Sequence, residues 1–480
     1  MTIRRVLTPL LAAAALLVSA ASATAAAPSL SVSGNRLVDT STGAVFVPRG
    51  VNFPSFEYAC FYGYGYSNEA GPASVGPTAA QARLIAGWHA NTVRVPLNQD
   101  CWLGDDGAPG GGLTATGYRD AVAAWVARLH DAGLAVILDL HWTGPNGVPA
   151  EGQRMMADDR SPAFWASVAE RFRDDRAVMF DAFNEPYSRF YDAGSAFPLS
   201  WACWRDGGCA VPRQNDMSGP FDGATFATTG MQALVAAIRG AGATQPILLG
   251  GLDYANDLRE WLASRPADGQ LVASFHNYDG QRCSTVACWD AEIAPVAAQV
   301  PVVAGEFGET DCSPAHDQRW MSWADAHGVG YLAWQWVVLA PSERANPACA
   351  SLVLIEDVAG TPAAPNGTAL KAHLAALAGG PGAPGTGDRV APKVTRAALR
   401  RLRGVVRLTA TFSEPATLKL VLRTRRGRAV ATATGTVRAG RRTVAVTGRR
   451  LAAGRYRLYV TARDRAGNRA RTRVIALRVR

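Results

Sequence analysis

The chain has 480 residues, 48% hydrophobic and 18% charged, with a formal net charge of +10. It is long enough for more than one domain and too apolar for a disordered chain. The charge is uneven: residues 389–480 hold 24 Arg and 2 Lys against Glu414 and Asp464, a net +24, so the first 388 residues carry −14.

Taken in chain order, residues 1–27 place Arg4 and Arg5 before an apolar stretch from Val6 to Val18, followed by small residues around Ala23-Thr24-Ala25. This reads as an export signal, so the expected location is secreted and extracellular, with an envelope association as the variant. The apolar stretch is shorter than the ~20 residues of a membrane-spanning helix, and no later segment supplies one. Eight cysteines in an exported chain favour disulfides over metal ligation. Short spacings suggest Cys203 with Cys209 and Cys283 with Cys288, leaving Cys60 with Cys101 and Cys312 with Cys349. No metal site is expected: there is no C-x-x-C pair, and Asp105-Asp106 in "GDDGAPGGG" reads as a solvated turn.

Residues 28–377 alternate short apolar runs with Ala-rich stretches of helical spacing. The runs are "VFVPRGV", "NTVRVPL", "AVILDLH", "VMFDAFNE", "PILLGG", "LVASFH", "VPVVAGE" and "GYLAWQW". Between them, "TAAQARLIAGWHA", "YRDAVAAWVARLHDAG" and "SPAFWASVAERFRDD" carry apolar positions at helical spacing. Eight such repeats predict a (β/α)8 barrel, with its site at the C-terminal ends of the strands. Residues 378–391 are Gly/Pro-rich and read as a linker. Residues 392–480 alternate at period two and predict a small antiparallel sandwich. The closing "YRLYVTARDRAGN" resembles the end of bacterial immunoglobulin-like modules.

Polar residues cluster where such a barrel would use them. Arg94 lies in the second run, His141 ends the third, Asn184 and Glu185 end the fourth, His276 and Tyr278 come at the sixth, and Glu306 ends the seventh. Two carboxylates facing one cleft are what retaining glycoside hydrolysis needs, with the carboxyl groups about 5 to 5.5 Å apart. One must hold a proton near neutral pH, and the other must be ionised and held by donors such as Arg94 and Tyr278.

Over about residues 35 to 377, "FNEP", "GEFG", Arg94, "LDLHW", "SFHNY" and "LAWQW" stand in an order that resembles glycoside hydrolase family 5, the cellulase family of retaining (β/α)8 enzymes. The resemblance implies Glu185 as acid/base and Glu306 as nucleophile. It gives Arg94, His141, Asn184, His276 and Tyr278 the task of positioning these groups and the sugar. A strand-eight tryptophan would stack under the sugar: Trp334, with Trp336 the other register. The implied activity is secreted endo-hydrolysis of β-1,4-glucan, with β-mannan, β-1,3-glucan and simpler β-glycosides as other substrates of the family. No cofactor is required. A cysteine-bearing insertion, residues 189–216, departs from the simplest members.

A reading of another class is a carbohydrate-binding or envelope-attached protein without catalysis. Trp142, Trp201, Trp204 and Trp289 are further sugar-stacking candidates, each weighed against ordinary packing. The Arg-rich tail suggests an anionic cell-wall polymer as partner. Nucleic acid is not expected, since no recognition motif accompanies the charge.

Overall fold

The computed structural model describes residues 26–68, 74–191, 194–339, 351–379, 392–402, 405–413, 416–438, 440–447, 451–463, 470 and 472–479. The chain divides into two compact units, residues 1–42 with 46–367, and residues 43–45 with 368–480. No helix among the described residues is long and apolar enough to cross a membrane.

The first unit is a closed barrel of eight parallel strands: β1 (Arg49–Asn52), β2 (Thr92–Asn98), β3 (Ala135–Trp142), β4 (Val178–Asp181), β5 (Ile247–Gly250), β6 (Leu271–Tyr278), β7 (Val302–Gly308) and β8 (Gly330–Ala333). Helices follow the strands, as expected. Among them are α1 (Ala79–Gly87), α2 (Ala115–Asp131) and α3 (Ser161–Phe172). Thr78 and Thr114 cap the first two by accepting from the Gln81 and Gly117 N–H groups. In α2 the buried positions Tyr118, Val122, Trp125, Val126 and Leu129 form one stripe against the barrel, the spacing that a 3.6-residue period requires.

Period-two alternation stacks the barrel interior in layers. The lowest is apolar: Ala135, Ile137, Met179, Leu248, Val272, Val303 and Leu332 pack with Leu30 and Leu37 of an N-terminal hairpin that the sequence reading did not anticipate. Two residues further along the strands come Arg94, Asp139 and Asp181, all fully buried. Above these the strands open into the site.

Three of the expected runs were too long. The first divides into a separate strand, Ala44–Phe46, and the barrel strand β1. The eighth ends at Ala333, before Trp334. The fourth ends at Asp181, so Asn184 and Glu185 lie past the ladder rather than at the strand end. There the backbone stays tied to both neighbours, Ala182 N–H to Leu248 at 3.0 Å and Asn184 N–H to Leu140 at 3.1 Å, without strand geometry. That irregularity is needed, because consecutive residues in a regular strand point to opposite faces.

Disulfides join Cys60 to Cys101, Cys203 to Cys209 and Cys283 to Cys288, as expected. The expected Cys312–Cys349 pair involves a residue outside those described. Asp105 and Asp106 do not form a merely solvated turn: Arg160 pairs with them at 3.4 and 2.7 Å and with Asp100 at 2.7 Å.

The second unit begins near α4 (Asn366–Gly379), which covers the first two residues of the expected linker; residues 380–391 lie outside those described. Seven antiparallel strands follow: β9 (Val394–Leu402), β10 (Val405–Phe412), β11 (Ala416–Thr424), β12 (Ala429–Val437), β13 (Gly440–Thr447), β14 (Gly454–Arg463) and β15 (Arg473–Val479). They form a three-stranded sheet β9-β10-β13 and a four-stranded sheet β12-β11-β14-β15. Val406, Leu408 and Phe412 of one pack with Leu418, Leu420, Leu458 and Val460 of the other.

Candidate active site

Arg94 organises the floor of the site. Its guanidinium donates to Asp181 (3.0 Å), Asn52 Oδ1 (3.1 Å), Glu306 (2.8 Å) and Asn184 Oδ1 (2.7 Å), and it lies 3.0 Å from Asp139. All are buried, so these contacts stabilise one another against a large desolvation cost. Burial pushes the carboxyl of Asp139 up to about 7 and that of Asp181 well above its usual range, both against the pull of Arg94. Asp139 and Asp181 were missed in the sequence. They share the inward face of their strands, and Asp139 lies two residues before His141, so period-two counting would have found it.

Two bulges aim the upper residues. Phe275 pairs with Ala304 but His276 pairs with Glu306, leaving Gly305 as the extra residue in β7. Without that shift Glu306 would point outward; with it, Glu306 joins the inward set. A Cβ on residue 305 would come within 2.8 Å of His276 Nε2 and 3.0 Å of Ser274 Oγ, so glycine is required by close approach. In β3, Leu97 pairs with Leu140 and Asn98 with Trp142, which leaves His141 as the extra residue.

Glu185 and Glu306 converge. His276 Nδ1 lies 2.7 Å from Glu185 Oε1 and 3.6 Å from Glu306 Oε2, and one oxygen of each carboxylate and one nitrogen of the ring all fall within 4.8 Å of one another. Burial holds the His276 imidazole down to about 3, so the contact to Glu185 is a hydrogen bond of a neutral ring and not an ion pair. Tyr278 OH donates to Glu306 Oε2 at 2.7 Å. Glu306 thus accepts from Arg94 on one oxygen and from Tyr278 on the other.

Glu185 has weaker support. Gln153 Nε2 donates to Glu185 Oε2 at 3.0 Å, while Asn184 Nδ2 donates to Gln153 Oε1 at 2.6 Å. Burial pushes the Glu185 carboxyl up to about 7, with Asp216 adding to the rise and Gln153, His141 and Arg94 opposing it. Two carboxyls in one cavity thus have unlike surroundings, the arrangement that separates an acid from an anion. Gln153 gave no signal in the sequence because it comes from the loop after β3.

The ring of His141 donates to or accepts from Asp139 at 2.7 Å, burial holds it down to about 4, and it stacks on Trp334 with centroids 5.5 Å apart. Trp336 is fully buried and donates to Gln81 at 2.9 Å, so of the two strand-eight tryptophans only Trp334 adjoins the site. Trp204 and Trp289 are buried packing residues, and Trp201 lies against Trp204. Trp142 is half-buried beside Tyr58 and Tyr62, with centroids at 6.2 and 6.3 Å. Glu57, on the loop after β1, was also missed. It is buried, accepts from the Ser55 N–H at 2.7 Å, and its carboxyl is pushed up to about 8 by burial, with Asp139 and Glu306 contributing.

Glu185, His276 and Glu306 have the mutual spacing of a cation site. The Arg94 guanidinium already supplies positive charge to Glu306, and paired-carboxylate chemistry needs no ion.

Residues 49–338 match the cellulase family, glycosyl hydrolase family 5. The chain belongs to glycosyl hydrolase family 5. It is 28% identical over 330 residues to a mannan endo-1,4-β-mannosidase of Streptomyces lividans, covering 66% of this chain and 68% of that one. A shorter match, 39% over 70 residues and 14% of each chain, is to a xyloglucan-specific endo-β-1,4-glucanase of Bacteroides ovatus. In fold, the family 5 barrel resembles a β-glucanase of Saccharophagus degradans solved with cellotetraose, at a TM-score of 0.53 and 19% identity, covering 73% of this chain and 94% of that one. This family 5 member is a glycoside hydrolase.

Proposed function

We propose that the protein is a secreted retaining endo-β-1,4-glycanase. The observation that carries this reading is the meeting of Glu185 and Glu306 across a neutral His276, one carboxylate accepting from Arg94 and Tyr278 and the other raised to about 7. Glu185 protonates the leaving oxygen as the Glu306 carboxylate attacks the anomeric carbon, so the glycosidic bond breaks as a glycosyl-enzyme ester forms. Glu185, now ionised, takes a proton from water, whose oxygen displaces Glu306 and restores both groups with net retention. Asn184 retains an N–H for the sugar 2-hydroxyl, and Trp334 supplies the face under the ring. In this reading Glu306→Gln and Glu185→Gln each remove turnover of polysaccharide, by ~10²-fold or more. The first product formed has the β configuration by proton NMR. Full activity in either variant would overturn the assignment.

β-1,4-Glucan is the first main chain proposed. β-1,4-Mannan is the second reading, favoured by the Streptomyces lividans relative, which matches over two thirds of its length. Initial rates and product lengths on a panel of glucans and mannans decide between them.

Export is supported by the pattern of residues 1–27 and by the three disulfides among the described residues, which suit an oxidising compartment. The partner proposed for the tail is an anionic cell-wall polymer. Its support is Arg423 directly opposite Arg457 and Arg455 directly opposite Arg478 on the exposed face of the four-stranded sheet, like charges that repel unless an anion lies over them.

A further inference from the structure

In the second unit, strand pairing fixes what stands on the open face of the four-stranded sheet. Thr432, Val421, Tyr459 and Val474 lie directly opposite one another on β12, β11, β14 and β15. The residues flanking the two central ones, Leu420, Leu422, Leu458 and Val460, are buried, so period two turns this row away from the core. Of the three aromatic residues in this half, Phe412 and Tyr456 belong to the core, whereas Tyr459 faces outward and is half-buried. Val474 beside it is 50% exposed. An uncharged, mostly apolar row thus crosses the sheet over three interstrand gaps of about 4.8 Å each.

Cations border this row on both sides. On one side Arg423 stands opposite Arg457, and beyond them Arg455 stands opposite Arg478. On the other, Lys419 stands opposite Thr461, and Arg463 opposite Thr417. Each step of two residues along a strand is about 6.7 Å, so the nearest cations lie one sugar-sized step from the row. The Arg423 guanidinium is 5.9 Å from the centroid of the Tyr459 ring and donates to Gly427 O at 2.7 Å, which holds it beside that ring. Glu414 and Asp464, the two acidic residues of this half, lie outside the described residues, so no described carboxylate of the sandwich offsets the charge.

We propose that this face binds an acidic polysaccharide, a chain of pyranose rings bearing carboxylates, with one sugar face on Tyr459 and the carboxylates on the flanking cations. This rests on the anionic-polymer reading of the tail and adds the ring to it. A polyanion without rings is matched by charge alone and makes no use of an apolar row. A row between two basic borders fits a ligand whose apolar face lies between charged edges, since aromatic rings take sugar faces and guanidinium groups take carboxylates. Like charges directly opposite repel, so an anion laid over Arg423 and Arg457 also relieves a strain of the sheet. The row is one residue wide along the strands, which suits a single polymer chain rather than a lipid layer.

The experiment measures affinity of the full chain for polygalacturonate and for linear polyphosphate, a polyanion without rings, in the parent, in Tyr459→Ala, in Tyr459→Phe and in the double variant Arg423→Gln, Arg457→Gln. Residues 1–388 carry −14 and repel both probes, so binding reports the sandwich. Affinity for polygalacturonate falls about tenfold in Tyr459→Ala, the size of one aromatic contact, and returns in Tyr459→Phe. Affinity for polyphosphate stays at the parent value in both, which also shows that the variants are folded, while the arginine variant binds both polymers less tightly. An equal loss on both polymers in Tyr459→Ala, or a loss on neither, would overturn the ring platform and leave the anionic-polymer reading standing. A parent that binds neither polymer would overturn both. Preference of the parent for vesicles of anionic phospholipid over polygalacturonate would also overturn the proposal.

Discussion

Glu185 is half-buried and Glu57 buried, and their carboxyls are pushed up to about 7 and about 8. For Glu185 the consequence is kinetic. In the proposed mechanism it works protonated, so kcat/KM is expected to have an alkaline limb near pH 7 that Glu185→Gln removes. Asp216 raises the Glu185 value, so Asp216→Asn shifts that limb to lower pH, read from a pH profile on an aryl glycoside. For Glu57 the consequence is thermodynamic. Its folded value lies above its unfolded value of 4.5, so the folded protein holds a proton that the unfolded chain gives up. The associated stability is complete below about pH 4.5 and is lost as pH rises to about 8, at no more than about 1.4 kcal/mol per pH unit. Glu57→Gln keeps the shape without the titration, so the stability gap between wild type and variant changes in favour of the variant across that window. Thermal melts at several pH values measure it, and a constant gap would contradict the assignment.

At the scale of elements, the site depends on places where strands depart from regularity. The bulge at Gly305 turns Glu306 inward beside His276. Gly305→Ala would press a methyl against His276 and Ser274, and a displacement of about 1 Å at reacting groups can cost ~10²-fold. A loss of kcat/KM of that order with a nearly unchanged melting temperature is the expected result. The loop after β1, which carries Glu57, is tied by Cys60–Cys101 to the short helix Gln99–Leu103 after β2. Opening a cross-link of 41-residue separation costs about 4 kcal/mol in the chain-entropy account. A Cys60→Ser, Cys101→Ser double variant should therefore show a clearly lower urea midpoint than the parent.

At the scale of the whole molecule, opposite charge divides the chain, −14 over residues 1–388 and +24 over residues 389–480. Replacing Arg423, Arg455, Arg457 and Arg478 with Gln removes two cross-strand like-charge pairs. The sandwich should become no less stable, while retention on an anionic polymer should weaken and lose much of its salt dependence. Unchanged retention would assign the excess arginine to solubility alone.

Much of this was legible in the linear chain. Apolar runs alternating with helical stretches specify a parallel barrel because strands buried on both faces leave no other pattern, and "FNEP" and "GEFG" mark where carboxylates leave it. Tertiary structure decided the rest. Period two assigns a side chain to a face only while the ladder is regular. The inward turn of Glu306 at a bulge, and of both Asn184 and Glu185 past the end of β4, therefore follows from pairing with neighbouring strands rather than from local sequence. Gln153 reaches Glu185 from the loop after β3, and Glu57, from the loop after β1, feels the charges of Asp139 and Glu306. Barrel closure sets these relations, and no spacing along the chain records them.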